Sequence, residues 1–171
     1  LGAIGADLAR KAAALDMRVI GTRRTPDPVA HVDKVFGFDG TDEVLAESDY
    51  VILLLPVTPQ TENLFDRARL RKMKKSGWLI NFGRGALIVD EDLIAAVKAK
   101  EIAGAVLDVF RTEPLPSDHP FWQTPGITVL PHIGGGHPDR DKVVASLFTE
   151  NVRRHLAGEP LKELVTRDKG Y

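Results

Sequence analysis

The chain has 171 residues, 43% of them hydrophobic, which is the size and apolar content of one ordinary globular domain. Its 23 basic and 24 acidic residues leave a formal charge of -1, so no global field draws it to nucleic acid or to an anionic membrane, and any anion site has to be local. With no cysteine, disulfides and thiolate metal sites are excluded, and no apolar run approaches the roughly 20 residues that a membrane-crossing helix needs. The expectation is a cytoplasmic protein with neither nucleic-acid nor membrane partners.

In chain order, Ile4, Leu8, Ala12 and Leu15 recur at helical spacing, and Met17-Arg-Val-Ile20 follows as a short strand ended by Gly21. A short helical stretch at Val44-Leu45 precedes the apolar run Tyr50–Leu55. A weaker helical stretch near Leu64–Met73 precedes the strand Trp78–Asn81, and Glu91–Lys100 precedes the strand Ala103–Asp108. Ile127–Leu130 adds a further strand, and residues from Asp139 to Leu156 read as a long amphipathic helix. Apolar strands alternating with helices predict an α/β fold, a Rossmann-type doubly wound parallel sheet covered on both faces. The Pro-rich stretch Glu113–Pro120 has strand signals on both sides, so it reads as an excursion between two strands.

Ligands of open α/β sheets lie at the carboxyl ends of the strands. Gly2-Ala3-Ile4-Gly5 fits the last two glycines of G-x-G-x-x-G: Gly2 lets backbone approach a pyrophosphate, Gly5 lets the helix pack closely, and the helix N-terminus supplies N–H donors. The next strand ends in Gly21-Thr22-Arg23-Arg24, where such a site usually carries an acid for the ribose hydroxyls. A guanidinium there suits a 2′-phosphate, which argues for NADP over NAD; the alternative is two arginines facing solvent. Asn81-Phe82-Gly83-Arg84-Gly85, Asp108 to Glu113, and Pro131-His132-Ile133-Gly134 follow three further strands. Taken singly, Arg84, Glu113 and His132 could be surface residues. At successive strand ends they would converge over one crevice.

Those segments, with Leu54-Leu55-Pro56, Pro59 and Thr61, Glu113-Pro114 and the glycines Gly134–Gly136, resemble in order the nucleotide-binding domain of the D-isomer-specific 2-hydroxyacid dehydrogenases over essentially the whole chain. The resemblance implies Arg84, Glu113 and His132 as a catalytic trio. It places Asp108 near the nicotinamide, and Gly2, Ala3, Ile4, Gly5, Thr22, Arg23, Arg24, Leu55, Pro56, Thr61, Phe82, Gly83, Gly134 and Gly135 around the dinucleotide. The excursion Pro116–Trp122 and the closing Lys169-Gly-Tyr171 look most like the glyoxylate/hydroxypyruvate reductase branch. The implied reaction is reduction of a small 2-keto acid to the 2-hydroxy acid with NADP, or secondarily NAD, without a metal. His132 would give the proton, Glu113 would favour its imidazolium, and Arg84 would bind the substrate carboxylate or carbonyl oxygen. Glutamate at position 113 argues against a formate dehydrogenase. The alternatives are a dinucleotide-sensing, corepressor-like protein and a non-catalytic nucleotide-binding module.

Relatives imply a homodimer, with Phe121-Trp122 near the partner. The expected organisation is a nucleotide-binding domain over 1–157 and a returning tail over 158–171. Because the glycine turn normally follows a central strand, the strands ending at Ile20 and Leu55 are expected not to pair directly. The expectation is then that this central first strand, the first glycine and most of a substrate domain are missing from this chain, which is the C-terminal part of a longer polypeptide and has little or no activity by itself.

Overall fold

The computed structural model describes residues 1–165, so Lys169-Gly-Tyr171 and the end of the expected tail lie outside the described residues. The chain divides into two compact units, Leu1–Pro131 and a second that begins at His132.

The first unit opens with α1 (Ala3–Ala13), an Ala-rich helix whose last turn carries Arg10 and Lys11 against the negative end of its dipole. Its buried side is Gly5 and Ala9, not the stripe read from the sequence: Ile4 is 71% and Leu15 75% exposed. The smallest residues lie on the buried side here, and the large apolar ones stay outside. β1 (Ile20–Thr22) starts later than Met17, because the backbone of Val19 is already engaged by Asp33, through its side chain and its amide, at 2.7 Å each. It pairs in parallel with β2 (Lys34–Phe36), which the sequence reading missed; only Phe36 of that strand is buried, too little to show a period.

α2 (Thr41–Glu47) leads into β3 (Tyr50–Leu53), α3 (Arg67–Leu70) into β4 (Trp78–Asn81), and α4 (Asp90–Lys98) into β5 (Gly104–Leu107) and then β6 (Ile127–Val129). β3, β4, β5 and β6 form one parallel sheet in that order, with Val51, Leu79, Ala105 and Ile127 in one row. α3 is much shorter than the stretch Leu64–Met73 expected for it. Asp66 caps it by accepting from the Arg69 amide at 2.8 Å, and Phe65 is drawn instead into a parallel bridge with Ile88. β3 stops before Leu54-Leu55-Pro56, where a proline can no longer donate to a ladder.

The core lies on one face of this sheet, where Val51, Leu53, Leu79, Ala105 and Leu107 pack with Leu93, Ala96 and Val97 of α4. α4 begins with Asp90, Glu91 and Asp92, acids that suit the positive end of its dipole. Coverage of both faces holds only in part, since Tyr50 and Ile52 on the other face of β3 are 56% and 37% exposed. β1 and β3 share no ladder among the described residues; they belong to separate parallel sheets. Leu1 lies beside β1, its amine donating to Thr22 O at 2.6 Å and its side chain packed on Gly21.

The second unit contains α5 (Arg140–Leu156). Glu150 pairs there with Arg153 and Arg154, which hold its carboxyl down at about 2, and Asn151 exchanges two hydrogen bonds with the backbone of Lys162. The apolar side of α5 is present but exposed, with Val143 at 61% and Phe148 at 70%. Among the described residues no helix is long and apolar enough to cross a membrane.

Candidate active site

The first element of the site is the turn before α1. Gly2 is the N-cap residue with no side-chain cap, the first turn holds no acid, and a Cβ added at Gly2 would meet no atom within 4 Å. Uncapped N–H groups, a positive dipole end and open approach are what a diphosphate requires, so Gly2, Ala3, Ile4 and Gly5 fit that group. Gly5 is buried, yet a Cβ there would sit at ordinary distances of 3.5 Å from Leu1 and 3.8 Å from Leu54. The close-packing role expected for Gly5 is therefore not sterically obligatory. At the end of β1, Thr22 lends its carbonyl to Leu1, and the Arg23 amide donates to Phe36 O at 3.0 Å. This fixes the backbone from which Arg23 and Arg24 project, and no acidic residue stands in Gly21–Arg24.

Beyond β3, the Thr61 hydroxyl donates to Pro56 O at 2.7 Å and accepts from the Thr58 amide at 2.8 Å. Thr61 is buried and shapes the loop after Leu55 and Pro56 from inside.

The turn after β4 is built by Asn81, which is fully buried. Its side-chain amide donates to Arg84 O and its carbonyl accepts from the Gly83 amide, both at 2.9 Å. Gly83 is packed so tightly that an added Cβ would lie 2.9 Å from Leu55 O, while Phe82 is 38% exposed. Arg84 is exposed, its guanidinium donating to Gly83 O at 2.7 Å. A Cβ at Gly85 would fall 1.9 Å from the carbonyl carbon of Phe110 and 2.3 Å from the Arg111 amide nitrogen. Only glycine lets the Arg84 turn and the segment after β5 meet backbone to backbone.

On that segment Asp108 is buried, and its amide donates to Asn81 O at 3.1 Å. Glu113 accepts from the Phe110 amide at 2.9 Å through Oε1, which orients its carboxylate. Arg84 and Glu113 are thus borne by two segments that touch at Gly85, each with its backbone fixed by hydrogen bonds.

His132 opens the second unit with φ of +54°, a left-handed conformation that costs an L-residue about 1–2 kcal/mol and is often found at functional sites. With Gly135, Gly136, Arg140 and Asp141 it lines a cleft of about 640 Å³ within that unit. A Cβ at Gly135 would meet nothing within 4 Å.

Sequence reasoning treated Asn81 only as a motif letter and missed its work as organiser of the turn. An asparagine that ends an apolar strand run two residues ahead of a glycine is the signal that could have found it.

A model of the D-isomer specific 2-hydroxyacid dehydrogenase NAD binding domain matches residues 1–134. The glyoxylate/hydroxypyruvate reductase A of Photorhabdus laumondii subsp. laumondii is 39% identical over 149 residues, 86% of this chain and 47% of that protein. A glyoxylate reductase of Thermofilum pendens is 36% identical over 170 residues, 98% of this chain and 50% of that protein. Among solved structures, the D-isomer specific 2-hydroxyacid dehydrogenase of Xanthobacter autotrophicus Py2 in complex with NADPH and MES is similar with a TM-score of 0.93 at 36% identity, over 100% of this chain and 70% of that one. The NADPH-dependent glyoxylate/hydroxypyruvate reductase of Sinorhizobium meliloti in complex with NADP and sulfate gives 0.92 at 31%, over 100% of this chain and 55% of that one. The chain spans about half the length of the curated relatives it matches. Its parallel strands, glycine turn and ordered strand-end segments, together with a match that covers most of its length, place it plainly: the chain belongs to the D-isomer-specific 2-hydroxyacid dehydrogenase family.

Proposed function

We propose that this chain is the dinucleotide-binding and catalytic part of an NADPH-preferring reductase of small 2-keto acids such as glyoxylate or hydroxypyruvate. The observation that carries the reading is the exposed Arg84 on a turn locked by buried Asn81, packed through Gly85 against the segment that carries Glu113. A planar guanidinium presented on a rigid turn is suited to hold a 2-keto acid by its carboxylate and to stabilise charge developing on the carbonyl oxygen. Bound reduced nicotinamide would supply a hydride to the carbonyl carbon. As the electron pair of the C=O π bond moves to oxygen, His132 would give that oxygen a proton, completing the 2-hydroxy acid. Glu113, its carboxylate oriented by the Phe110 amide, is assigned to the proton-transfer step, and Asp108 is assigned to the nicotinamide end.

Arg23 and Arg24 would hold a 2′-phosphate, and solved relatives in complex with NADPH or NADP support that choice. The names of the relatives favour a reductase over a corepressor-like regulator. A homodimer formed near Phe121-Trp122 is part of the same reading.

The test is made in the polypeptide that carries these residues. His132→Gln is expected to lower kcat for glyoxylate reduction by about 10²–10⁴-fold, the usual worth of a positioned proton donor, while the Kd for NADPH stays within about twofold. Arg84→Met is expected to lower kcat/KM for the keto acid with the same indifference in NADPH binding. Unchanged kcat in the His132 variant overturns the assignment of the proton donor.

A further inference from the structure

The chain from Arg111 to His119 carries Glu113 through an excursion that contains neither helix nor strand, yet both its ends are tied to the start of α4 and the segment before it. At the near end, Arg111 Nε donates to Ile88 O at 3.0 Å. The same guanidinium donates to Ala86 O at 3.4 Å and to the Asn63 side-chain oxygen, and it lies 3.7 Å from Asp90 Oδ1. At the far end, His119 Nε2 stands 3.5 Å from Asp90 Oδ2, and Nδ1 accepts from the Phe121 amide at 3.3 Å. The His119 ring packs on that of buried Phe121, with centroids 4.5 Å apart. Asp90 is only 15% exposed; burial pushes its carboxyl up, and Arg111 and His119 oppose that push.

The segment they grip has its own supports. Asn81 holds the Arg84 turn, and the amides of Asn63, Phe65 and Val89 donate to Ala86 O, Leu87 O and Phe65 O. Arg111 and His119 therefore do not build the Arg84 turn; they fasten the excursion to the segment that follows it, from Ala86 to Asp90. A planar guanidinium with five donors in fixed geometry is well suited to bind several carbonyls and a carboxylate at once.

We propose that Arg111 is a positioning residue for the reduction: with Asp90 and His119 it pins both ends of the 111–119 excursion to the segment behind Arg84, and so sets where Glu113 is held. This rests on the reading of Arg84 and Glu113 as parts of a 2-keto acid reductase site. Misplacement of a catalytic group by about 1 Å can cost up to about a hundredfold in rate, so the tether acts on turnover more than on folding.

Two measurements test it in the polypeptide that carries this chain. First, Arg111→Met is expected to raise deuterium uptake in peptides covering 110–119 and to leave 78–83 unchanged; unaltered uptake in 110–119 overturns the proposal. Second, Arg111→Met is expected to lower kcat for glyoxylate about tenfold in the wild-type background, but less than about threefold in a Glu113→Gln background, with Arg111→Lys intermediate. Equal losses in both backgrounds mean a merely structural role and overturn it. If the Met variant does not fold, Arg111→Lys, which keeps the charge beside Asp90 but not the fork, is read in the same two ways. Failure of the wild type to reduce any 2-keto acid would defeat the proposed function instead, and deuterium uptake then decides whether the excursion is pinned.

Discussion

At the level of single side chains, Arg23 and Arg24 are the residues proposed to decide the cofactor. A guanidinium paired with a 2′-phosphate is a charge-assisted bond worth about 1.5–3 kcal/mol, or about ten- to a hundredfold in affinity. NADPH is therefore expected to bind that much more tightly than NADH, and the double variant Arg23→Ala, Arg24→Ala to erase the difference in paired titrations. Equal dissociation constants in the wild type would contradict it. The proposal for these two arginines can be made from sequence because its signal lies in one place, an absent acid and two cations at a strand end. Arg111 was not readable. Its acceptors at Asn63, Ala86 and Ile88 stand 48, 25 and 23 residues away, and nothing in the chain near Arg111 points to them.

Among the elements, β4 and β5 do most to assemble the site, and the turns behind them tolerate little. Gly85→Ala would drive a methyl into the backbone of Phe110 and Arg111, where no flexible side chain can give way. Overpacking of this kind costs about 1–3 kcal/mol, so the denaturant midpoint should fall, whereas Gly2→Ala, with no atom within 4 Å of its Cβ, should leave it unchanged. A Gly85 variant as stable as the wild type would show that the two turns do not meet as described.

The strands carrying these turns were plain in the sequence because Trp78–Asn81 and Ala103–Asp108 are short apolar runs bounded by turn residues. β2 was hidden because three residues with one buried side chain make no pattern. The stripe on α1 misled for a different reason: the helix buries its smallest residues, and a hydrophobicity period favours its largest.

For the molecule as a whole, acid stability has an identifiable contributor. Glu101 is held by Arg67 and Arg71 at 2.9–3.0 Å, and their hydrogen bonds lower its carboxyl from 4.5 to about 2. A carboxylate depressed in the folded state adds stability that is fully present above its unfolded value near 4.5 and is lost as pH falls from there toward 2. Thermal melts at a series of pH values should therefore show wild type above Glu101→Gln at neutral pH, with the gap closing across that window. A gap that is constant with pH would remove the ion pairs as its cause.

At this scale the alternation of strands and helices was legible, while the division at Pro131–His132 was not, because the glycines that follow it, Gly134–Gly136, read as part of a dinucleotide site.

The proposed function has this site reduce 2-keto acids with a bound dinucleotide. It is tested most directly by following NADPH absorbance at 340 nm after glyoxylate or hydroxypyruvate is added to the polypeptide that carries this chain, with NADH in parallel. The expected result is oxidation of NADPH with formation of the 2-hydroxy acid, slower with NADH, and abolished in the Arg84→Met, His132→Gln double variant. Tight binding of NADPH with no turnover of either keto acid would contradict it.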